Sequence, residues 1–219
     1  MKVLVINGSP RKNWNTATLL ENTLKGAASQ GAETELLHLY DLTYKGCTSC
    51  FACKIIDGPS QGRCAMRDDL TPVLDRIESE VDALVMGSPI YFGSMTGEMR
   101  SFMERLLFAP HSYSDPYRSL FPRRIKTAFI YTMNVPEDKL AEYGYDRLFA
   151  STEGTLGRVI GPAETLVSTD TLQFSDHSKV VMEMFDPEKK ATRRREVFPE
   201  DCRKAFELGR RLGSSGAWI

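Results

Sequence analysis

The feature that most constrains this chain is an apolar strand near its amino terminus that leads directly into a polar loop and a helix. Residues 3–6 (VLVI) are β-branched or aliphatic, which is typical of a strand covered on both faces in a parallel sheet. The residues NGSP at 7–10 end the strand, and a helix is predicted over 17–29. A loop that ends at a helix N-terminus offers free N–H groups and a positive dipole end, so it suits a phosphate.

The residue types of this loop indicate which phosphate it would take. The loop has neither the GxxxxGK[ST] pattern of nucleoside-triphosphate hydrolases nor the GxGxxG pattern of dinucleotide-binding folds. The hydroxyl groups of Ser9, Thr16 and Thr18 can add hydrogen bonds. These features favour one terminal phosphate. The alternative is a plain strand–turn–helix connection whose Ser and Thr residues only cap the helix.

A second loop follows another buried strand, predicted over 82–87 (DALVMG). The loop, 88–97 (SPIYFGSMTG), precedes a helix that begins near Glu98. Tyr91 and Phe92 offer flat faces for a planar ring. In a doubly wound sheet of flavodoxin-like order, the loops after the first and third strands meet where ligands bind. A phosphate loop beside an aromatic loop is the arrangement that FMN requires.

The two segments together resemble a known family. GSPRKNWNTATLL at 8–20 and GSPIYFGSMTGEMRSFMER at 87–105 are similar to the NAD(P)H-dependent FMN reductase and iron–sulfur flavoprotein branch of the flavodoxin-like superfamily. The resemblance covers roughly residues 1–170 and extends weakly to 197–212. It implies a three-layer α/β fold, a doubly wound five-stranded parallel sheet in the order 2-1-3-4-5 with helices on both faces.

The resemblance also implies which residues contact the flavin. The first loop would hold the FMN phosphate, and the second would line the ribityl chain and the isoalloxazine. The position of the loop after the fourth strand in such a fold predicts that it contacts the pyrimidine end. The alternative for this third loop is an ordinary strand-to-helix connection. One departure is Trp14, where this family usually has a glycine. The predicted contacts are Ser9, Arg11, Asn15, Thr16, Ala17 and Thr18 in the first loop, Pro89, Ile90, Tyr91, Phe92 and Gly93 in the second, and Thr132 and Asn134 in the third.

Length and composition favour one domain. The chain has 219 residues, of which 42% are hydrophobic and 26% charged, as in ordinary soluble domains. A net charge of −1 gives no electrostatic case for binding nucleic acid. No apolar run is long enough for a membrane, and no signal-peptide pattern is present, so we expect a cytoplasmic protein. We predict a flavodoxin-like domain over 1–219, with a cysteine-bearing insertion at about 46–66 and a polar extension with a terminal helix at about 171–219.

The rest of the chain alternates between strand and helix patterns, which implies right-handed crossovers and a parallel sheet. Asp68 is the predicted N-cap of a helix that follows the cysteine segment. Further strands are predicted over 33–39, 125–132 and 164–169, and further helices over 68–80, 98–108, 137–160 and 200–212.

Four of the five cysteines lie in one segment, and three of them have the spacing CxxCxxC, which can converge thiolates on a cluster or a metal. Iron–sulfur flavoproteins carry a similar motif with a shorter gap before the fourth cysteine. We interpret the segment as a loop with free thiols in a reducing compartment. A [4Fe–4S] cluster, structural zinc and a redox-active disulfide are the alternatives. The four cysteines are Cys47, Cys50, Cys53 and Cys64; Cys202 is isolated.

Residues 171–199 are polar and contain a basic run at 193–195. We interpret this run as a solvated face or a subunit contact. The alternative is a site for the 2′-phosphate of NADPH, since arginine binds phosphate through two hydrogen bonds. His38, His111 and His177 are scattered, so none is assigned a catalytic role.

The leading hypothesis is an FMN-dependent oxidoreductase that takes hydride from NAD(P)H and passes electrons to a quinone, a nitro compound, a flavin or a protein acceptor. The cofactor would carry the redox step, so no catalytic side chain is predicted. One alternative is an iron–sulfur flavoprotein that carries single electrons between ferredoxin-like partners. Another is a non-enzymatic FMN-binding protein. The resemblance further implies a homodimer or a higher homo-oligomer. From the charge and the hydropathy pattern, we expect neither nucleic acid nor a membrane as a partner.

Overall fold

A mainly parallel sheet runs through the centre of the molecule in the computed structural model, which describes residues 1–181 and 183–216. Five parallel strands have the order β2-β1-β3-β5-β6, and a short strand, β4, pairs antiparallel with the end of β3. The strands are β1 (Lys2–Asn7), β2 (Glu33–His38), β3 (Ala83–Tyr91), β4 (Ser94–Met95), β5 (Lys126–Thr132) and β6 (Ala163–Ser168).

The predicted α/β fold with a flanked parallel sheet is confirmed, but the predicted strand count and order need a correction. The third strand does not end at residue 87; it continues to Tyr91 and turns back into β4. Phe92 and Gly93 form the turn with φ values of 49° and 82°, as a two-residue hairpin of type I′ requires. With β4 counted, the predicted order 2-1-3-4-5 becomes 2-1-3-5-6.

Helices cover both faces of the sheet because alternate side chains of each strand point in opposite directions. On one face, Val3 and Val5 of β1 pack with apolar residues of α1 and α6. On the other face, Leu4 and Ile6 pack with residues of α2, α3 and α4. The helices are α1 (Asn15–Ala28), α2 (Thr71–Ser79), α3 (Gly97–Phe108), α4 (Tyr145–Val159), α5 (Pro187–Glu196) and α6 (Phe198–Gly213).

Helices α1 and α6 pack in close contact through glycines. A Cβ at Gly26 would lie 1.9 Å from the backbone oxygen of Phe206, and one at Gly209 would lie 1.9 Å from that of Thr23. No side chain fits in such a gap, so the two helix backbones touch directly. The carboxyl-terminal helix is therefore part of the main body of the protein.

Three predicted helix features differ from the structure. Helix α2 begins at Thr71, with Leu70 rather than Asp68 at the N-cap position. The Asp68 carboxylate pairs with the buried guanidinium of Arg105 and accepts from the Leu70 N–H. The helix predicted over 137–160 begins only at Tyr145, after Gly144 with a φ of 74°. Helix α5 was not predicted. Of the helices that the structure describes, none combines the length and the apolar character needed to cross a bilayer.

Candidate functional site

A cleft with an empty volume of about 610 Å³ opens where β1, β3 and β5 end. The two predicted loops meet there: the Gly8 N–H donates to the Gly87 carbonyl at 2.8 Å, and Thr96 Oγ1 donates to the Gly8 carbonyl at 2.7 Å. The structure brings nine of the thirteen predicted contact residues to the cleft: Ser9, Arg11, Asn15, Thr16, Pro89, Ile90, Tyr91, Thr132 and Asn134.

One end of the cleft is the N-terminus of α1. Trp14 occupies the N-cap position without a capping side-chain hydrogen bond, and the first turn contains no acidic residue. The N–H groups of this turn therefore offer an anion site. Ser9 is buried beside the turn, where its N–H donates to the side chain of Asn7 and its Oγ accepts from the N–H of Arg11.

Arg11 adds positive charge at this end. Its guanidinium donates to the Gln173 carbonyl at 2.5 Å and lies 5.5 Å from the ring centroid of Trp14 and 5.6 Å from that of Phe174. Within the described ranges, no carboxylate forms an ion pair with Arg11. An arginine in this position can pair with a phosphate.

Two predicted phosphate contacts use their side chains inside the protein. Asn15 Nδ2 donates to the Leu172 carbonyl at 2.7 Å, and Asn15 Oδ1 accepts from Arg194 at 2.8 Å. Thr18 Oγ1 donates to the Trp14 carbonyl at 3.0 Å and lies outside the cleft. Ala17 has an apolar side chain and is fully buried, so only its backbone N–H could donate a hydrogen bond to an anion. These residues hold the loop in shape.

The other end of the cleft is bordered by the end of β3. Tyr91 lines it and is 46% exposed as a residue. Phe92 and Gly93 do not line the cleft; they form the hairpin turn beside it, and Phe92 is fully exposed. A planar group in the cleft could therefore lie against Tyr91, while Phe92 stays at the rim.

The third side of the cleft comes from the loop after β5 and from the segment after β6. Thr132 Oγ1 lies 2.8 Å from Thr16 Oγ1. The N–H of Thr171 donates to the Met133 carbonyl at 2.9 Å, and Trp14 Nε1 donates to the Leu172 carbonyl at 3.1 Å. The cleft is also lined by five residues that were not among the predicted contacts: Trp14, Met133, Thr171, Gln173 and Phe174.

The basic run does not form a uniformly solvated face. Arg193 is nearly buried and pairs with Asp201 at 2.6 Å. Arg194 lies 3.9 Å from the ring centroid of Phe198, and burial lowers its pKa. Of the three arginines, only Arg195 is exposed as predicted for the run, and it pairs with Glu196. The run therefore attaches α5 to the body of the protein.

The four clustered cysteines line a second pocket, with an empty volume of about 320 Å³. Arg105 Nε donates to Cys64 Sγ at 3.3 Å, and burial raises the pKa of the Cys53 thiol. Over residues 1–181 and 183–216, no three His, Cys, Asp or Glu side chains are arranged to hold a metal ion. Cys202 lies apart, on α6.

Comparison with solved structures shows the fold. A NAD(P)H:quinone oxidoreductase from Methanothermobacter marburgensis is similar with a TM-score of 0.72 and 15% identity, over 99% of both chains. An azoreductase from Bacillus anthracis is similar with a TM-score of 0.64 and 16% identity, over 96% of this chain and 99% of the other.

Comparison of sequences identifies curated relatives and a family. An iron–sulfur flavoprotein of Archaeoglobus fulgidus is 41% identical over 105 residues, which are 48% of each protein. One of Methanocaldococcus jannaschii is 36% identical over 105 residues, 48% of this chain and 51% of the relative. The chain thus spans about half the length of the curated relatives it matches. The family model for NADPH-dependent FMN reductase matches residues 1–122, more than half of the chain. This chain therefore belongs to the NADPH-dependent FMN reductase family.

Proposed function

We propose that this protein binds FMN in the cleft and acts as an oxidoreductase that takes hydride from NAD(P)H and passes electrons to a quinone, a nitro compound, a flavin or a protein acceptor. The observation that carries this proposal is the cleft itself. It joins an uncapped helix N-terminus with Arg11 at one end to the exposed ring of Tyr91 at the other. That polarity matches a molecule with a phosphate at one end and a planar ring at the other.

The side chains fit such a cofactor. Ser9 and Thr16 place hydroxyl groups beside the N–H groups of α1, where a phosphate would accept hydrogen bonds. Bound FMN would supply the hydride-accepting chemistry. Of the residues that line the cleft, only Arg11 and Tyr91 are ionisable. The chain's own part is therefore to bind the cofactor, orient it and exclude water.

The first experiment measures FMN binding to the apoprotein by flavin fluorescence, with the variants Arg11→Gln and Lys12→Gln. Arg11 lines the cleft, whereas its neighbour Lys12 pairs with Asp41 and does not. We expect Arg11→Gln to weaken binding about tenfold or more, since a charge-assisted hydrogen bond contributes about 1.5–3 kcal/mol, and Lys12→Gln to leave it nearly unchanged.

A second experiment tests the reaction. The FMN-loaded protein is mixed with NADH or NADPH, and nicotinamide oxidation is followed with a quinone, a nitroaromatic compound, free flavin or ferredoxin as acceptor. Oxidation that depends on an acceptor would support the proposal. Failure of the wild-type protein to bind FMN would overturn the proposal entirely. Binding without nicotinamide oxidation would favour a non-enzymatic FMN-binding protein.

A second candidate function rests on the cysteine pocket. Cys47, Cys50, Cys53 and Cys64 line one small pocket, and four thiolates are the ligand set of a [4Fe–4S] cluster. Their side chains are not arranged to hold a metal ion in this structure, so a cluster would require the cysteine loop to rearrange. Arg105 at Cys64 would offset part of the negative charge of such a group. The protein would then carry single electrons between ferredoxin-like partners.

Iron and acid-labile sulfide in anaerobically purified protein decide between these candidates. Cys64→Ser should abolish iron binding if the cluster exists, and Cys202→Ser should not, because Cys202 lies outside the pocket. Protein with FMN but without iron or sulfide would exclude the electron-carrier form and leave the thiols free.

The proposed setting is cytoplasmic, and the proposed assembly is a homodimer or a higher homo-oligomer. The basis of the assembly proposal is the family resemblance, and the fully exposed Phe92 at the hairpin tip is the residue we would substitute to test it. Sedimentation equilibrium of the wild type and of Phe92→Ser tests it. A monomer at micromolar concentration would contradict the proposal.

A further inference from the structure

Lys190 lies in an unusual environment for a lysine. Its side chain is 3% exposed, and it is the only buried lysine in the described part of the chain. It belongs to α5, of which it is the one buried residue. Because a buried charge is costly unless it is paired and hydrogen-bonded, the contacts of Lys190 explain why α5 docks where it does.

Three acceptors satisfy this ammonium group. Lys190 Nζ donates to the backbone oxygen of Asn134 at 3.1 Å, to Asn134 Oδ1 and to a carboxylate oxygen of Asp170. An ammonium group has three N–H donors, so all of them are used. Asp170 also balances the charge. Lys190 thus joins α5 to the loop after β5 and to the segment after β6.

This contact determines the orientation of the Asn134 amide. A lysine ammonium donates hydrogen bonds and accepts none, so the amide oxygen must face Nζ. The NH₂ group then faces away from Lys190, on a residue that lines the cleft. Nδ2 has no hydrogen-bond partner within 1–181 and 183–216. The two N–H donors of Asn134 Nδ2 can therefore form hydrogen bonds with a group that enters the cleft.

The backbone near this contact is held as well. Asp170 has a φ of 49°, and its N–H donates to the Val135 carbonyl at 2.9 Å. The next residue, Thr171, donates to the Met133 carbonyl through its N–H at 2.9 Å and through Oγ1 at 3.0 Å. Asn134 lies between these two carbonyls, so its backbone is fixed on both sides, while the contact with Lys190 holds its side chain.

We propose that Lys190 is a positioning residue that holds the Asn134 side chain as a hydrogen-bond donor to the carbonyl edge of the ring in the cleft. This inference rests on the proposed function, since it takes FMN as the occupant. Donors at that edge stabilise the added negative charge of the reduced ring. Lys190 therefore raises the affinity for reduced FMN relative to oxidised FMN, and it does so through Asn134.

The test compares the two-electron midpoint potential of bound FMN in the wild type, in a double variant Lys190→Met with Asp170→Asn, and in Lys189→Met. The double variant removes one charge of each sign, so the net charge near the ring is unchanged. Asparagine also tolerates the backbone conformation at residue 170. Lys189 is an exposed neighbour on the same helix and serves as the control.

We expect the ratio of affinities for reduced and oxidised FMN to fall about tenfold in the double variant, which makes the potential about 30 mV more negative. Lys189→Met should keep the wild-type potential. Asn134→Asp keeps the contact with Lys190 but replaces the donor with a negative acceptor, so its potential should fall further. Thermal unfolding of each apoprotein checks that the variants are folded.

Lys190→Gln provides a second route if the double variant does not fold, because its side chain can also accept from Asn134 and so permits both amide orientations. Its potential should also become more negative. A wild-type potential in a folded, FMN-bound variant of Lys190 would overturn the inference. Failure of the wild-type protein to bind FMN would instead overturn the proposed function, and this inference with it.

Discussion

Asn7 illustrates how one buried side chain shapes the phosphate end of the cleft. It is fully buried at the end of β1, and its Oδ1 accepts from the N–H of Ser9 at 2.9 Å. That bond orients the amide, so Nδ2 is the atom 2.9 Å from His38 Nδ1. Nδ1 must therefore accept, and His38 is neutral with its proton on Nε2. A short chain of side chains thus connects β2 to the loop.

Replacing Asn7 tests this chain. Asn7→Ala should destabilise the fold by about 1–3 kcal/mol, because it leaves the buried Ser9 N–H without an acceptor, and should also weaken FMN binding. Asn13→Ala, at an exposed position in the same loop, should change the free energy of unfolding by less than about 0.5 kcal/mol. Urea unfolding measures both. Equal effects of the two substitutions would contradict the role given to Asn7.

His38 makes stability depend on pH. Burial, and then the charge of Lys12, lower the pKa of His38. The unfolded chain therefore takes up this proton at a higher pH than the folded protein does, so the free energy of unfolding falls as pH drops below about 6.5. His38→Gln keeps an acceptor for Asn7 without titrating, and should reduce the loss of stability between pH 7 and pH 5.5.

Burial also lowers the pKa of His111. His111→Gln should therefore also reduce the loss of stability between pH 7 and pH 5.5. His111 lies outside the cleft, whereas His38 is connected through Asn7 to Ser9 in the cleft. Protonation of His38, but not of His111, should therefore also weaken FMN binding. An unchanged pH dependence of binding in His38→Gln would contradict the argument.

At the scale of elements, apolar patterns made much of the fold predictable. Strands β1, β3 and β5 each contain a continuous apolar run, and the two loops that carry ligand-type residues follow the first two of them. Helix α5 could not be predicted this way because it has no apolar stripe; ten mostly charged residues dock through Lys190 and Arg193. The extension of β3 into β4 was missed because its turn uses Phe92 where a more typical turn residue is expected.

The cleft was predictable only in part, because some of the segments that line it, like α5, lack an apolar pattern. Its first two sides come from loops that carry recognisable residue types next to strands. Its third side uses side chains after β6, among them Thr171 and Phe174, whose segment has no apolar period and no motif. Contacts such as that of Arg194 with Asn15 join residues far apart in the sequence, and no local pattern encodes them.

The contact between α1 and α6 yields a prediction with a matched control. Gly209→Ala should destabilise the protein by about 1–3 kcal/mol or more, because the added methyl group would overlap the backbone of Thr23. Gly154→Ala, in α4 with open space around it, should stabilise by about 0.5–1 kcal/mol, since alanine favours a helix over glycine. Thermal unfolding distinguishes the two. A neutral Gly209→Ala would show that the helices can separate at little cost.

At the scale of the whole molecule, the carboxyl-terminal quarter is structurally part of the candidate site. Residues 171–174 line the cleft or hold its first loop, and α6 packs on α1, whose N-terminus is the phosphate end. A ligand in the cleft would therefore contact segments that lie more than 150 residues apart in the sequence. Binding of this kind couples the stability of one segment to that of the other.

FMN should thus protect the tail. At a free concentration one hundred times its dissociation constant, FMN should add about 2.7 kcal/mol to the free energy of unfolding. It should also slow proteolysis within 170–196 more than within the cysteine segment at 47–64. Limited proteolysis followed by mass spectrometry measures both rates. Equal protection of the two segments would contradict the part given to the tail.

The place of Lys190 late in the chain has a consequence for synthesis. A ribosome makes β1 and the phosphate loop first, yet the segment that closes the cleft and the lysine that orients Asn134 follow more than 150 residues later. In a nascent chain with only the first five strands, the cleft lacks the lining residues that follow β6. Stable retention of the cofactor therefore requires the segment after β6, and nascent chains arrested before residue 171 should not retain FMN.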